Sequence, residues 1–144
     1  MAIDMTGDMQ LIDDAMADRL VCLLGTADAG GAPQISPKGS MLVFDAGRLA
    51  YWERAARSAL ANLGDNQKVV VYYRNTNKSE RFPRGAVWRF HGEAKVLTEG
   101  DEREEIYSRI IPGERDKDPD KKGAAVMITV ERITDLGGNI VQER

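Results

Sequence analysis

The stretch Ser36-Pro37-Lys38-Gly39 is followed along the chain by Arg57-Ser58-Ala59-Leu60-Ala61-Asn62-Leu63, a segment with the apolar spacing of a short helix. Two runs of strand-forming residues, 41–45 and 48–53, lie between them and are joined by the turn signal Asp45-Ala46-Gly47. A hairpin of this kind predicts that the basic side chains of the two stretches meet near the start of the helix.

The residue types gathered at this place suit a phosphate group. A phosphate monoester binds cations, hydroxyl donors and backbone amides, and a helix N-terminus supplies free amides with a partial positive charge. Arg57 directly precedes the predicted helix, where its guanidinium can bind two phosphate oxygens, and Ser58 lies at or near the helix cap. Lys38 adds a point charge and Ser36 a hydroxyl. The residues alone leave two interpretations open, a phosphate site and an ordinary basic surface.

Composition limits the class of protein. A chain of 144 residues is predicted to form one domain, and its net charge of −3 argues against non-specific binding of nucleic acid. The single cysteine, Cys22, lies in the apolar run Leu20-Val21-Cys22-Leu23-Leu24, so it is expected to pack in the core of a protein from a reducing compartment. No stretch approaches the roughly 20 apolar residues of a membrane span. These features predict a cytoplasmic protein.

Strand patterns dominate the rest of the chain. Apolar spacing predicts an opening helix through Met5, Met9, Ile12, Met16 and Leu20, and a later helix after residue 101. Seven strands are predicted, at residues 20–26, 32–36, 41–45, 48–53, 68–74, 86–97 and 124–133, whereas residues 75–85 and 112–123 have the composition of polar loops. Because the strands follow one another without βαβ alternation, we expect a mainly β (α+β) fold. Its antiparallel sheet of about six to seven strands would close into a small barrel with three short helices.

The sequence assigns no catalytic or metal-binding group. His91 is the sole histidine, and its position on an alternating strand is typical of a packed or surface residue. One cysteine and one histidine cannot supply a usual zinc site, so no metal is expected. The sequence contains neither a Walker A loop nor a Rossmann fingerprint. Gly92, in the strand that carries His91, indicates a bulge or a close backbone approach.

Several motifs, in their order and spacing, resemble the flavin-binding split-barrel proteins of the pyridoxamine 5′-phosphate oxidase class. The motifs are Pro33-Gln34-Ile35-Ser36-Pro37-Lys38-Gly39, Leu49-Ala50-Tyr51-Trp52, Arg57-Ser58-Ala59-Leu60-Ala61-Asn62-Leu63, Val69-Val70-Val71-Tyr72-Tyr73-Arg74 and Trp88-Arg89-Phe90-His91-Gly92-Glu93-Ala94. The resemblance covers residues 20–98 well and the remainder loosely. It implies a single FMN-binding split-barrel domain over residues 1–144.

The resemblance also implies where FMN binds. In this class the phosphate is held at a strand edge and at the start of the short helix, positions that correspond here to Ser36, Lys38, Arg57 and Ser58. The strand Tyr51-Trp52-Glu53 would run along the flavin ring and hydrogen-bond its polar edge. Such proteins are usually homodimers with FMN in the cleft between subunits. The region Trp88–His91 of the partner subunit, or its loop 75–85, would then cover the ring.

The implied function is that of an FMN-dependent oxidoreductase whose substrate the sequence does not identify. The chain departs from authentic pyridoxamine phosphate oxidases at two places. Arg57 is followed by Ser58 where those enzymes have a basic pair, and residues 135–144 contain nothing comparable to their substrate-binding C-terminal segment. Three alternatives stay open: a flavin carrier or sensor without turnover, a split barrel for deazaflavin or haem, and a nucleic-acid-binding barrel. The net charge and the scattered aromatic residues oppose the last of these.

Overall fold

The computed structural model describes residues 2–54 and 58–144, which form one sheet with short helices around it. The eight strands are β1 (Cys22–Ala27), β2 (Pro33–Lys38), β3 (Leu42–Asp45), β4 (Arg48–Glu53), β5 (Lys68–Asn75), β6 (Ala86–Leu97), β7 (Ala124–Thr134) and β8 (Ile140–Glu143). The helices are a 3₁₀ helix (Asp8–Asp14), α1 (Ser58–Asp65), α2 (Asp101–Arg109) and α3 (Pro112–Arg115). In these described ranges, no helix combines the length and the apolar character needed to cross a membrane.

The strands are hydrogen-bonded in the order β2-β1-β5-β6-β7-β4-β3, with β8 beside β7, and every pair is antiparallel. This confirms the predicted antiparallel α+β fold, with eight strands in place of six to seven. The predicted closure is wrong, because the end strands β2 and β3 are not paired with each other in the part of the chain that the structure describes. The sheet therefore has an open side, as in a split barrel.

Two apolar clusters pack against the sheet. The larger one contains the fully buried side chains of Tyr51, Tyr73 and Phe90. The smaller one packs α2 onto β4 and β7, with Trp52 and Ile106 among its members. Tyr51 and Trp52 belong to different clusters because successive side chains of a strand point to opposite faces. The two clusters cover both faces of β4 and β7. These strands therefore have continuous apolar runs, whereas a half-buried strand would alternate between apolar and polar residues.

Gly92 marks a bulge in β6. The register of β6 against β7 shifts between His91 and Gly92, and a Cβ atom at Gly92 would lie 2.1 Å from the carbonyl oxygen of Thr129. The predicted bulge and close backbone approach are both confirmed. A larger residue at this position would require the backbone to move.

The N-terminal segment differs from its prediction. Only Asp8–Asp14 is helical, in 3₁₀ geometry, where one amphipathic helix from Met5 onward was expected. The amide of Met5 donates to the carbonyl oxygen of Ala46 at 2.8 Å, so Met5 lies beside the β3–β4 turn while its side chain is buried. Met16, towards the other end of the predicted apolar stripe, is exposed. The spacing therefore predicted burial at the start of the segment but not its backbone conformation.

Two C-terminal features also differ from their predictions. The segment 112–123, predicted as a polar loop, contains α3 and buries the acidic residues Glu114 and Asp118. β8 was not predicted, and it pairs with β7 after the turn at Gly138. Most of its side chains are exposed, so its sequence lacks the alternation that identifies a half-buried strand.

Candidate functional site

A cavity of about 330 Å³ lies where the ends of β2 and β4 approach the start of α1. Strand alternation builds the β2 wall, since Gln34, Ser36 and Lys38 are the less exposed residues of β2 and all three line the cavity. The end of β4 supplies Trp52 and Glu53. The remaining lining residues are Pro37, Gly39, Ser40, Arg54, Ala59 and Glu114.

A nearly buried ion pair forms part of the cavity wall. Lys38 Nζ lies 2.8 Å from Glu53 Oε2 and 3.1 Å from Glu53 Oε1, and the two side chains are 12% and 8% exposed. The same ammonium group lies 5.5 Å from the centre of the Tyr51 ring. An ammonium group has three N–H donors. The pair with Glu53 therefore leaves one N–H of Lys38 that can be donated to a ligand.

Tyr51 lies in the core next to this pair. Its side chain is fully buried, and its hydroxyl has no hydrogen-bond partner among the described residues. Burial, and secondly the Glu53 carboxylate, raises the pKa of the Tyr51 phenol. Tyr51 therefore presents a neutral hydroxyl and an aromatic face to Lys38, and it adds no charge to the site.

Ser40 fixes the backbone of β4 at the cavity. Its hydroxyl donates to the carbonyl oxygen of Trp52 at 3.2 Å and accepts from the amide of Trp52 at 2.9 Å. Both backbone groups of Trp52 thus have a partner within the chain. Because both ends of this contact are buried, the position of the β4 end is set by the fold before any ligand binds.

The indole of Trp52 connects the cavity wall to the segment after α3. Its Nε1 donates to Asp118 Oδ2 at 2.8 Å, and the Asp118 carboxylate also accepts from the amides of Lys122 at 3.0 Å and Gly123 at 2.8 Å. Burial raises the pKa of the Asp118 carboxyl, but these hydrogen bonds and the nearby Arg103 guanidinium outweigh that effect and hold it below its ordinary value. Arg103 also lies 4.8 Å from the Trp52 ring centre. The indole is therefore held in one orientation.

A second carboxylate, Glu114, reaches the cavity from α3. Its residue is 8% exposed, and its Oε2 lies 3.8 Å from Nε of Arg54. Gly39 makes room for it, because a Cβ atom at Gly39 would lie 2.1 Å from Glu114 Oε1. Among the described residues that line the cavity, the carboxylates of Glu53 and Glu114 are therefore balanced by the cations of Lys38 and Arg54.

The structure brings together four of the predicted cofactor-binding residues, namely Ser36, Lys38, Trp52 and Glu53. Trp88 stacks in the core on Tyr73, with ring centres 5.7 Å apart, and Tyr51 is buried beside the cavity. Arg57 lies outside the described residues. Ser58 begins α1, but its side chain also lies outside them. The cofactor-binding roles given to all eight of these residues stay predictions.

Seven further lining residues were not predicted, and four of them have polar or charged side chains, namely Gln34, Ser40, Arg54 and Glu114. Gln34 could have been found from strand alternation, because it shares a face of β2 with Ser36 and Lys38. Glu114 has no comparable signal. It belongs to a charged segment far along the chain, and only the packing of α3 brings it to β2.

Comparisons with known proteins find a matching family model and several similar solved structures. A family model described as pyridoxamine 5′-phosphate oxidase matches residues 9–137. The solved structure of HupZ from Group A Streptococcus is similar, with 27% identity, 92% of this chain and 98% of that chain covered, and a TM-score of 0.70. An FMN-binding protein from Syntrophomonas wolfei has 19% identity, coverage of 90% and 88%, and a TM-score of 0.62. A FAD-binding protein from Mesorhizobium loti has 15% identity, coverage of 78% and 80%, and a TM-score of 0.61. None of the curated proteins matches the chain.

Proposed function

The chain belongs to the pyridoxamine 5′-phosphate oxidase family, and from this membership we propose that it is an FMN-binding oxidoreductase with its flavin site in the cavity between β2, β4 and α1. One observation carries the proposal. Ser36, Lys38, Trp52 and Glu53, which come from two separate strands, line a single cavity beside Ala59 in the first turn of α1. An ammonium, a hydroxyl and the amides of a helix start then lie together, and these are the donors that a phosphate binds.

The phosphate half of FMN fits the donors of the cavity. Ser36 Oγ accepts a hydrogen bond from Gln34 Nε2 at 3.1 Å, which leaves its hydroxyl hydrogen to be donated to a ligand. Lys38 retains one N–H beyond the two directed at Glu53. The first amides of α1 have no partners inside the helix, as at any helix start. We assign the phosphate to this group of donors.

The positive charge needed for a dianion comes, in this proposal, from Arg57. The described lining residues balance two cations against two carboxylates, so they bring no net positive charge to a phosphate. Arg57 directly precedes α1, where a guanidinium can bind two phosphate oxygens. We expect its removal to weaken FMN binding by about 2 kcal/mol, roughly thirtyfold.

The flavin ring would extend past this cavity towards a second copy of the chain. About 330 Å³ is near the lower limit of small-molecule sites, which span roughly 300–1,000 Å³. The exposed side chain of Met16 lies close to the cavity, since its sulfur is 3.4 Å from where a Gly39 Cβ would be, and the exposed Ile35 belongs to the edge strand β2, which forms one wall of the cavity. We propose that a partner subunit covers these side chains and completes the ring site in a homodimer.

The chain's own residues would orient the cofactor. A bound flavin supplies hydride or single-electron transfer. Lys38 would hold the phosphate end, while the fixed indole of Trp52 would form one wall of the site. The substrate and the proton donor are left open, since neither Glu53 nor Glu114 is placed against a known substrate.

Titration of the full-length chain, freed of bound ligand, with FMN, riboflavin and FAD tests the proposal. We expect quenching of flavin fluorescence on binding, with FMN bound about tenfold or more tighter than riboflavin, which lacks the phosphate. A protein that is colourless as purified and takes up none of the three would contradict flavin binding. Equal affinity for FMN and riboflavin would show that the cavity does not bind the phosphate group.

Two further measurements refine the result. Arg57→Ala is compared with Arg74→Ala, which removes the same charge from an exposed position on β5 outside the cavity, and only the first is expected to weaken FMN binding. Oxidation of NADH or NADPH by the FMN-loaded protein, with a dye as electron acceptor, separates an oxidoreductase from a flavin carrier. Absence of any turnover with both donors would favour the carrier.

A further inference from the structure

A second pocket, of about 510 Å³, lies on the outer face of the sheet beside the turn between β7 and β8. Its polar wall comes from β6 and β7, and its apolar wall from the turn and the start of β8. The residues concerned are Arg89, His91, Arg132, Thr134, Leu136 and Ile140. This pocket shares no lining residue with the proposed flavin cavity.

Strand pairing places the polar groups of the second pocket side by side. His91 pairs directly with Arg132, and Arg89 pairs directly with Thr134. Directly opposed residues of an antiparallel pair have neighbouring side chains, and residues two apart share a face. Two guanidinium groups and one imidazole therefore converge on one patch of the sheet.

Both guanidinium groups retain N–H donors that a ligand could accept. Arg89 Nη1 donates to the carbonyl oxygen of Asp135 at 2.7 Å, which holds this side chain along the turn. In the described part of the chain, Arg132 forms no ion pair. Glu143 is the strand partner of Arg132 across β7 and β8, and it lines an adjoining pocket together with Glu131, but neither carboxylate lies within ion-pair distance of Arg132. Like charges gathered on one face of a sheet are unfavourable unless an opposite charge joins them.

The nearby positive charges affect the protonation of His91. Burial, followed by the charges of Arg132 and Arg89, lowers the pKa of His91. Its Nε2 lies 3.4 Å from Thr134 Oγ1, and Arg144 adds a further cation at the edge of the adjoining pocket. The imidazole is therefore neutral near pH 7, and any anion bound beside it would favour its protonated form.

We propose that this second pocket binds a small organic anion, a carboxylate or a phosphate monoester that carries an apolar group. Arg89 and Arg132 supply guanidinium donors of the kind that grip two oxygens at once. Leu136 and Ile140, which are 57% and 56% exposed, supply an apolar wall next to them. Contact with that wall removes the apolar group of the ligand from water, which adds affinity beyond that of the anion alone.

The test uses His91 as the probe, because it is the sole histidine of the chain. In the untagged full-length protein, its imidazole signal is followed by proton NMR in a buffer without carboxylate or phosphate. We expect phenyl phosphate and benzoate to shift the signal saturably and to raise the pKa of His91, because a bound anion offsets the guanidinium charges. Inorganic phosphate should bind about tenfold more weakly than phenyl phosphate, since it cannot use the apolar wall. The tighter of the two organic probes identifies the preferred anion.

Arg132→Gln is the decisive variant. Arg132 is exposed, so the fold should tolerate the change, and we expect the affinity for the tighter probe to fall about tenfold or more. Lys95→Gln is the matched control, because it removes the same charge from an exposed position on β6 about 13 Å from His91 along the strand. The proposal is overturned if neither organic anion gives a saturable shift, or if both variants lose affinity equally.

Discussion

Lys38 Nζ lies 2.8 Å from Glu53 Oε2 in a pair that connects β2 with β4, two strands that are not neighbours in the sheet. β2 is one end of the strand order, and β4 stands next to the other end. The pair therefore joins the two sides of the opening in the split barrel. The proposed phosphate site occupies the same opening, so Lys38 links the strands and, in this proposal, would also face the ligand.

Breaking this pair from one side should destabilise the fold. Lys38→Met keeps most of the side-chain volume but leaves the Glu53 carboxylate nearly buried without its cation. Removal of one partner of a buried pair costs about 3 kcal/mol or more in the free energy of unfolding. Urea denaturation followed by circular dichroism measures the change.

The double variant Lys38→Met/Glu53→Gln is the control for that prediction. It removes both charges, so a large part of the lost stability should return. If the single and double variants are equally unstable, the loss comes from packing and the ion pair contributes little. If Lys38→Met alone leaves the free energy of unfolding unchanged, the ion pair does not stabilise the contact between β2 and β4.

The contact between Trp52 and Asp118 should make stability depend on pH. Hydrogen bonds hold the pKa of Asp118 below its ordinary value, so the folded state binds the proton less readily than the unfolded state. The resulting stability is fully present above the unfolded pKa of about 3.9 and is lost as the pH falls through the lower folded pKa. We expect Asp118→Asn to cost about 1–3 kcal/mol at pH 6 and progressively less in acid.

Asp120→Asn provides the comparison for Asp118, since Asp120 is exposed in the same segment. Its unfolding free energy should follow that of the parent at every pH. A cost for Asp118→Asn that stays constant between pH 6 and pH 2 would contradict the assigned ionisation, because the contribution would then not depend on the charge of the carboxyl.

Strand positions were predictable where the sequence itself carries the burial pattern. β4 and β6 begin and end at the predicted residues, because Leu49-Ala50-Tyr51-Trp52 is continuously apolar and residues 86–97 alternate regularly. Ser36 and Lys38 were predicted from their residue types and from the family resemblance, and the structure places them on one face of β2. The 3₁₀ helix was not predictable in this way, since its contacts are long-range: Asp13 Oδ1 accepts from the amide of Val43 in β3 at 2.7 Å.

The rest of the candidate site depends on contacts that no local pattern encodes. Asp118 lies in a charged segment and is buried because it accepts hydrogen bonds from Trp52 and from two nearby amides. Lys38 was predicted as a cation for phosphate, but its pairing with Glu53 requires the sheet to curl until β2 approaches β4. Long-range packing therefore decides the charge balance of the cavity, whereas local alternation decides which strand residues line it.

Gly92 should tolerate no side chain. A Cβ atom there would lie 2.1 Å from the Thr129 carbonyl oxygen, a backbone atom that cannot rotate away. We expect Gly92→Ala to cost about 2–3 kcal/mol, because the β6–β7 bulge must move. Gly64→Ala is the matched change in α1, with nothing within 4 Å of the added methyl group, and should raise stability by about 0.5–1 kcal/mol. Equal thermal unfolding midpoints for the two variants would show that the close approach at Gly92 relaxes freely.

The proposed homodimer should depend on Ile35. This residue is 71% exposed on the edge strand β2, which forms one wall of the proposed flavin cavity. In a twofold interface each substitution acts twice, so Ile35→Lys removes two buried apolar side chains and should weaken dimerisation about a hundredfold or more. Light scattering after size exclusion measures the mass, and the affinity for FMN should fall together with the fraction of dimer.

Val141→Lys, at an exposed apolar position on β8, is the control and should keep the parental mass and affinity. A parent chain that binds FMN as a monomer would place the second wall of the flavin site within one chain, and an Ile35→Lys variant with the parental dimer mass would remove Ile35 from the interface.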